Sequence, residues 1–139
     1  MKLLVIGGSG LLGFKIAELS VQKAFETYAT YNLRAIKLDG CDLVRLDKTV
    51  RDDTLDLVKR LKPDVVIDTA ALHNVDYCET HRDEAWKVNV KGTKNVANAC
   101  EEVGAKMIFI STDYVFDGAK SFYTEEDVPN PLNFYAKTK

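Results

Sequence analysis

Leu3-Leu4-Val5-Ile6-Gly7-Gly8-Ser9-Gly10-Leu11-Leu12-Gly13 decides how the rest of the chain is read. The unbroken apolar run at its start predicts a strand buried on both faces, as in a parallel sheet. Glycines then fall at Gly7, Gly10 and Gly13, the spacing G-x-x-G-x-x-G. Beyond them Leu12, Ile16 and Leu19 recur at helical spacing and predict one apolar stripe. A glycine triplet alone serves many tight turns. Between a buried strand and an amphipathic helix it matches the dinucleotide fingerprint. Gly7 permits the turn, Gly10 lets the backbone approach a pyrophosphate, and Gly13 lets the helix lie against the sheet. Gly7, Ser9, Gly10, Leu11, Leu12 and Gly13 therefore form a predicted phosphate cradle, with the helix N-terminus favouring negative charge.

Working outward, short β-branched runs alternate with helical periodicity, the pattern of an α/β parallel sheet. Strands are expected at Glu26–Tyr31, at Asp42–Asp47 nearer an edge, at Val65–Ile67 and at Lys106–Ile110. One helix is expected to start at a Thr49 cap, to bury Leu55, Val58 and Leu61, and to end at Pro63. A longer one runs from Glu79 to Val103 with Trp86, Val90, Val96, Cys100 and Val103 as its core face and Gly104 as its C-cap. Some twenty loop residues follow Ser111-Thr112, and a loop that long is usually functional. A last helix starts at Phe134. This makes four βα units and a fifth strand: a doubly wound parallel sheet, the Rossmann fold, over residues 1–139 as one domain. The chain reads as the N-terminal portion of a longer protein, lacking the final strands and the part that covers a substrate.

The remaining composition excludes more than it assigns. Of 139 residues, 46% are hydrophobic and 29% charged, which suits one globular domain able to bury a real core. Nineteen Lys and Arg against twenty-one Asp and Glu give a formal charge of −2. Nucleic acid and anionic membrane surfaces are thus not expected partners. No run reaches the ~20 apolar residues of a membrane span, and glycines interrupt the N-terminal run too early for a signal peptide. Three cysteines in no framework spacing fit free thiols in a cytoplasmic protein.

Two further groups carry chemistry. Past the second strand the sequence reads Thr30-Tyr31-Asn32-Leu33-Arg34, without the carboxylate that holds ribose hydroxyls in NAD-preferring folds. Arg34 suits a 2′-phosphate, which favours NADP, and equally suits a solvated loop. Asp47 is placed to accept from an adenine amino group or to cap the next helix. Tyr135 and Lys139 stand four apart, on one helix face. An ammonium beside a phenol lowers the phenol's pKa and fits it for proton transfer. Ser111 and Thr112 end the fifth strand at the edge where ligands bind in open α/β sheets.

These stretches resemble the extended short-chain dehydrogenases/reductases, and among them the dTDP-4-dehydrorhamnose reductase family. The match runs through Gly7–Gly13, Pro63-Asp64-Val65-Val66-Ile67-Asp68-Thr69-Ala70-Ala71, Asn89-Val90, Ser111-Thr112-Asp113-Tyr114-Val115-Phe116, and Pro131-Leu132-Asn133-Phe134-Tyr135 with Lys139. The resemblance implies NADP(H) as hydride donor, with NAD(H) left open, and a 4-keto-6-deoxy nucleotide sugar as substrate. It implies a catalytic triad of Thr112, Tyr135 and Lys139, with Tyr135 and Lys139 also reaching the cofactor and Asn89 supporting the site. Asp47 and Lys48 would line the adenine; Ala70, Ala71 and Leu72 would lie beside the ribose. Asp68-Thr69 departs from the usual Asn-Ala, and Leu72-His73-Asn74 fills a loop that often approaches substrate. Ser9–Gly13 and Phe116-Asp117-Gly118 also fit the regulatory subunit of methionine adenosyltransferase, a relative that binds NADP. A nucleotide-sugar epimerase or dehydratase with tightly held NAD is a third reading, and a homodimer is left open. No metal is expected, since Cys78 and His81 lack a second pair of ligands. His73 is read as a satisfied structural residue, Trp86 as core, and Glu125-Glu126-Asp127 as a solvated run.

Overall fold

β1 (Lys2–Ile6) buries its last four residues because it lies in the middle of a five-stranded sheet. The computed structural model describes residues 1–139. β2 (Glu26–Tyr31), β3 (Cys41–Arg45), β4 (Val65–Asp68) and β5 (Lys106–Phe109) complete that sheet in the order β3-β2-β1-β4-β5. Every pairing is parallel, with Leu4 opposite Tyr28 on one side and Val66 on the other. The sheet is doubly wound: the chain moves outward from β1 to β3, then crosses back to β4 and β5. β3 is an edge strand, as expected.

Side chains alternate across β1, so the sheet has two unequal cores. Leu4 and Ile6 meet α2 (Arg51–Leu61) and α5 (Thr93–Val103) through Leu57, Val58, Leu61, Val96, Ala99 and Cys100. Leu3 and Val5 form a smaller buried cluster with Ala17 of α1 (Leu11–Gln22) and Ala29, flanked by partly buried side chains that include Ile16, Leu38 and Leu43. The stripe expected on α1 is rotated. Leu12 and Leu19 are about half exposed (48% and 49%), while Gly13, Ala17 and Ser20 face the sheet. Small residues let α1 approach the strands closely, and that approach outweighs leucine burial here.

The segment expected as one helix from Glu79 is built from several pieces. α3 (Val75–Thr80) ends at His81; α4 (Arg82–Ala85) runs through a π-helical stretch, Trp86–Gly92, into α5. The widened turn shifts the phase of the face, and Trp86 is 44% exposed instead of core. Val96 and Cys100 are buried as expected, and α5 ends at Gly104 with φ +73°. Val50, not Thr49, occupies the N-cap of α2, and no side chain caps it; Leu55 is only partly buried. β2 and β3 are joined through 32–40 with no helix between them, so one of the four expected βα units is absent. α6 (Phe134–Lys137) closes the described chain. No helix is long and apolar enough to cross a membrane.

Candidate active site

The first turn forms one wall of a cleft at the carboxyl end of the sheet. Gly7 leaves β1 with φ +87°, a conformation that disfavours any side chain. Its amide donates to Thr30 Oγ1 at 3.1 Å, and its carbonyl accepts from Gly10 N at 2.9 Å. Gly13 passes so close that an added Cβ would stand 2.2 Å from Gly7 O. α1 starts at Gly10 with no side-chain cap and no acidic residue in its first turn. Its unpaired amides and the positive end of its dipole are the donor set an anion requires.

The cleft encloses about 390 Å³. Gly7, Ser9, Gly10, Leu11, Leu12, Gly13, Asp47, Lys48, Ala70 and Ala71 all border it. The Asp47 carboxylate accepts the Thr49 amide at 2.9 Å. Lys48 reaches the border with its stem, but its ammonium is turned inward to Asp68 Oδ2 at 2.7 Å. Leu72 sits just outside, its amide donating to Asn89 Oδ1 at 2.8 Å and its carbonyl accepting from Asn89 Nδ2 at 3.0 Å. Arg34 is exposed and does not border the cleft; Asn32, the first residue beyond β2, does. Thr49, Thr69 and His73, read above in other roles, also line it, as does Val88, which the sequence reading misses. For Thr49, Thr69 and His73 the signal is their place in the segments that follow β3 and β4; Val88, in the π-helical stretch, carries no such signal. His73 is exposed on the cleft wall, so the structural role expected for it is not the one it has.

Thr112, Tyr135 and Lys139 lie past the end of β5 and do not border this cleft: the Thr112 side chain reaches the Tyr135 phenol, and Lys139 reaches Ile110 O. Thr112 Oγ1 donates to Asp113 Oδ1 at 3.2 Å and accepts from Tyr114 N at 3.3 Å. Tyr114 meets the Tyr135 ring edge-on, with centroids 6.4 Å apart. α6 is fixed at its start by Asn133 Oδ1, which accepts from Ala136 N at 2.8 Å, and by Glu79 Oε1, which accepts from Phe134 N at 2.5 Å. That amide and Arg82 hold the Glu79 carboxyl below its ordinary range. Buried Thr138 donates to Tyr135 O at 2.6 Å and accepts from Asn89 Nδ2 at 2.9 Å. Asn89, in the π-helical stretch, thus ties α6 to the Leu72 backbone and so to the wall of the cleft.

The Tyr135 phenol is pushed up from its ordinary pKa, first by burial and then by Cys78 and Asp113, while the Thr112 side chain pulls the other way. The expected lowering by Lys139 is not found. The Lys139 ammonium donates to Ile110 O at 2.6 Å and lies 4.3 Å from the Phe109 ring centroid. Burial, then the Lys48 charge, lower its own pKa, and Asp68 opposes them. A second hollow, of about 660 Å³, adjoins this side and is lined by Asp113, Tyr114, Phe116, Asp117, Tyr123 and Leu132 among others. Cys78 and His81 do not converge: the thiol donates to Leu72 O, and the imidazole stacks on Tyr77 with centroids 3.8 Å apart.

A parallel doubly wound sheet with a glycine-turn cleft at its carboxyl edge defines the class, the Rossmann folds of NAD(P)-dependent reductases and epimerases. The family described as RmlD substrate binding domain matches residues 1–139, and the chain belongs to it. The chain is 35% identical over 145 residues to methionine adenosyltransferase 2 subunit beta of Bos taurus, covering 99% of this chain and 40% of that protein. It is 39% identical to the solved dTDP-4-dehydrorhamnose reductase of Clostridium acetobutylicum, with a TM-score of 0.78 and 99% and 46% of the two chains covered. UDP-glucose 4-epimerase of Thermus thermophilus, solved in complex with NAD, superposes with a TM-score of 0.89 at 26% identity, covering 100% and 47%. The chain therefore spans less than half the length of these relatives.

Proposed function

We propose that this chain forms the dinucleotide-binding half of an NADP(H)-dependent reductase acting on a 4-keto-6-deoxy nucleotide sugar, of the dTDP-4-dehydrorhamnose reductase type. The reading is supported by the glycine-turn cleft at the carboxyl end of the sheet, together with Thr112 and Tyr135 past the end of β5, where burial raises the phenol's pKa. The cofactor fits the residues present: the uncapped α1 amides take the pyrophosphate, and Ala70 and Ala71 lie beside a ribose. Arg34, exposed just beyond Asn32, supplies a guanidinium for a 2′-phosphate. NAD(H) is the alternative, and the solved epimerase relative holds NAD.

When bound, a reduced nicotinamide supplies hydride to the carbonyl carbon. Thr112 and Tyr135 donate to the keto oxygen, and Tyr135 delivers its proton as negative charge develops there. A phenol kept protonated by burial suits this direction, because the group must arrive carrying the proton it gives. Lys139, with N–H donors left after Ile110 O, grips the nicotinamide ribose.

The test is consumption of NADPH by the full-length protein with dTDP-4-dehydrorhamnose. Tyr135→Phe is expected to slow it about 10²- to 10⁴-fold; equal rates would remove Tyr135 from this role. Arg34→Ala is expected to lower the ratio of NADPH to NADH affinity, and an unchanged ratio would reassign the 2′-phosphate site. The beta-subunit relative supports a second reading, a dinucleotide-binding partner protein. It predicts NADPH binding without consumption by the wild-type protein.

A further inference from the structure

Asp68, where the resemblance has asparagine, and Lys48 form a buried ion pair beneath the cleft. Their side chains are 0% and 4% exposed. Lys48 Nζ donates to Asp68 Oδ2 at 2.7 Å, to Ala70 O at 2.6 Å and to Thr93 Oγ1 at 3.1 Å, which uses its full set of N–H donors. Asp68 Oδ1 accepts from Ala70 N at 3.1 Å. The pair therefore grasps Ala70 by its amide and its carbonyl at once. Gly92 makes room for the lysine stem: a Cβ there would stand 2.9 Å from Lys48 Cγ. On the outer side, Asn95 Nδ2 donates to Lys48 O at 3.0 Å and to Thr49 O at 3.3 Å. Burying two charges carries a solvation cost that an apolar pair of similar volume would avoid. What the ion pair adds over such a filling is directional fixation of two loops.

We propose that Lys48 and Asp68 are positioning residues for the dinucleotide cleft: their clasp locks the Ala70–Leu72 segment to the Asp47–Thr49 loop, so that the two walls hold one spacing. The proposal rests on the dinucleotide reading above. The Lys48 ammonium is turned from the cleft to Asp68, which does not border it, and both charges act through backbone that does.

The test compares wild type, Lys48→Met, the double variant Lys48→Met with Asp68→Asn, and Leu57→Ala, a core change away from the cleft, all in the full-length protein. NADPH affinity, thermal midpoint and amide exchange at Ala70 are measured. Lys48→Met is expected to weaken NADPH at least tenfold and to speed exchange at Ala70. The double variant regains thermal stability, because no uncompensated charge stays buried, yet keeps the tenfold loss. Leu57→Ala lowers the midpoint and leaves affinity and Ala70 exchange as in wild type. NADPH binding by the double variant within twofold of wild type, or unchanged Ala70 exchange in it, overturns the proposal. If Lys48→Met does not fold, the double variant carries the comparison. If wild type binds neither NADPH nor NADH, the functional reading falls, and the exchange comparison still decides the clasp.

Discussion

The two halves of the site are held together in different ways. Around β1 and β4 the cofactor wall is made of buried backbone: Gly13 against Gly7, and Ala70 clasped from both ends. Around β5 the strand has no fully buried residue, and Ile108 is 43% exposed. The segment that follows it is held by its own side chains. Asp117 accepts from Tyr123 OH at 2.5 Å, Ala119 N at 2.9 Å and Asn130 Nδ2 at 2.9 Å, and Phe116 stacks on Tyr123. The first half is shaped by close packing and a buried ion pair. The second is shaped by polar contacts, which respond to protons and salt.

That contrast breaks first if the glycine wall is tolerant. Gly13→Ala is expected to cost about 3 kcal/mol, since the new methyl overlaps a backbone carbonyl that cannot retreat. Denaturant unfolding reads this, and a loss below 1 kcal/mol would mean that the wall is soft. Asn89→Leu tests the link between the halves. It leaves the Leu72 amide unpaired and its carbonyl with the Cys78 thiol alone, and is expected to cost about 2 kcal/mol. Amide exchange at Ala136 and Thr138 should quicken with it; protection unchanged there would show that α6 stands without the link.

Acid separates the halves more gently. Hydrogen bonds from Tyr123, Ala119 and Asn130 hold the Asp117 carboxyl down at about 2. A depressed carboxyl stabilises the fold fully above its ordinary value of 3.8 and loses that contribution as pH falls through about 2. The Phe116–Tyr123 stack should persist at pH 5 and dissolve toward pH 2, followed by the ring-shifted NMR signals of Tyr123. Asp117→Asn should weaken the stack even at pH 5, and identical spectra for the two proteins would refute the assignment. The smallest effect belongs to the half-exposed indole: Trp86→Phe is expected to change stability by less than ~0.5 kcal/mol. A larger loss would return Trp86 to the core.

Much of the cofactor wall was legible because it obeys local rules. Residues 3–13 carry strand, turn and helix start within one stretch, and each glycine answers to a steric demand that acts over a few residues. The α1 stripe and Trp86 were misread because burial is decided by partners far away in sequence. Ala17 and Ser20 approach the sheet closely, and the π-helical turn advances the face by one residue. No helix is read between the second and third strands and none is there; only the count of four βα units was one too high. On the β5 side, the spacing of Tyr135 and Lys139 pointed to α6, but that helix ends at Lys137, so the two do not share a helix face as expected. It did not show that Ile110 O and the Phe109 ring engage the ammonium, because those partners come from β5 and the residue after it. Nor did sequence pair Lys48 with Asp68: each had a plausible local role, and only the crossover brings them within bonding distance.

The bare connection from β2 to β3 has a practical consequence. Asn32 and Arg34 sit on a segment that no helix anchors, so substitutions there disturb little of either core. On the proposed function, preference between phosphorylated and unphosphorylated dinucleotides is expected to be a separable trait, shifted by changing a few side chains of that loop while the remainder of the domain is left as it stands.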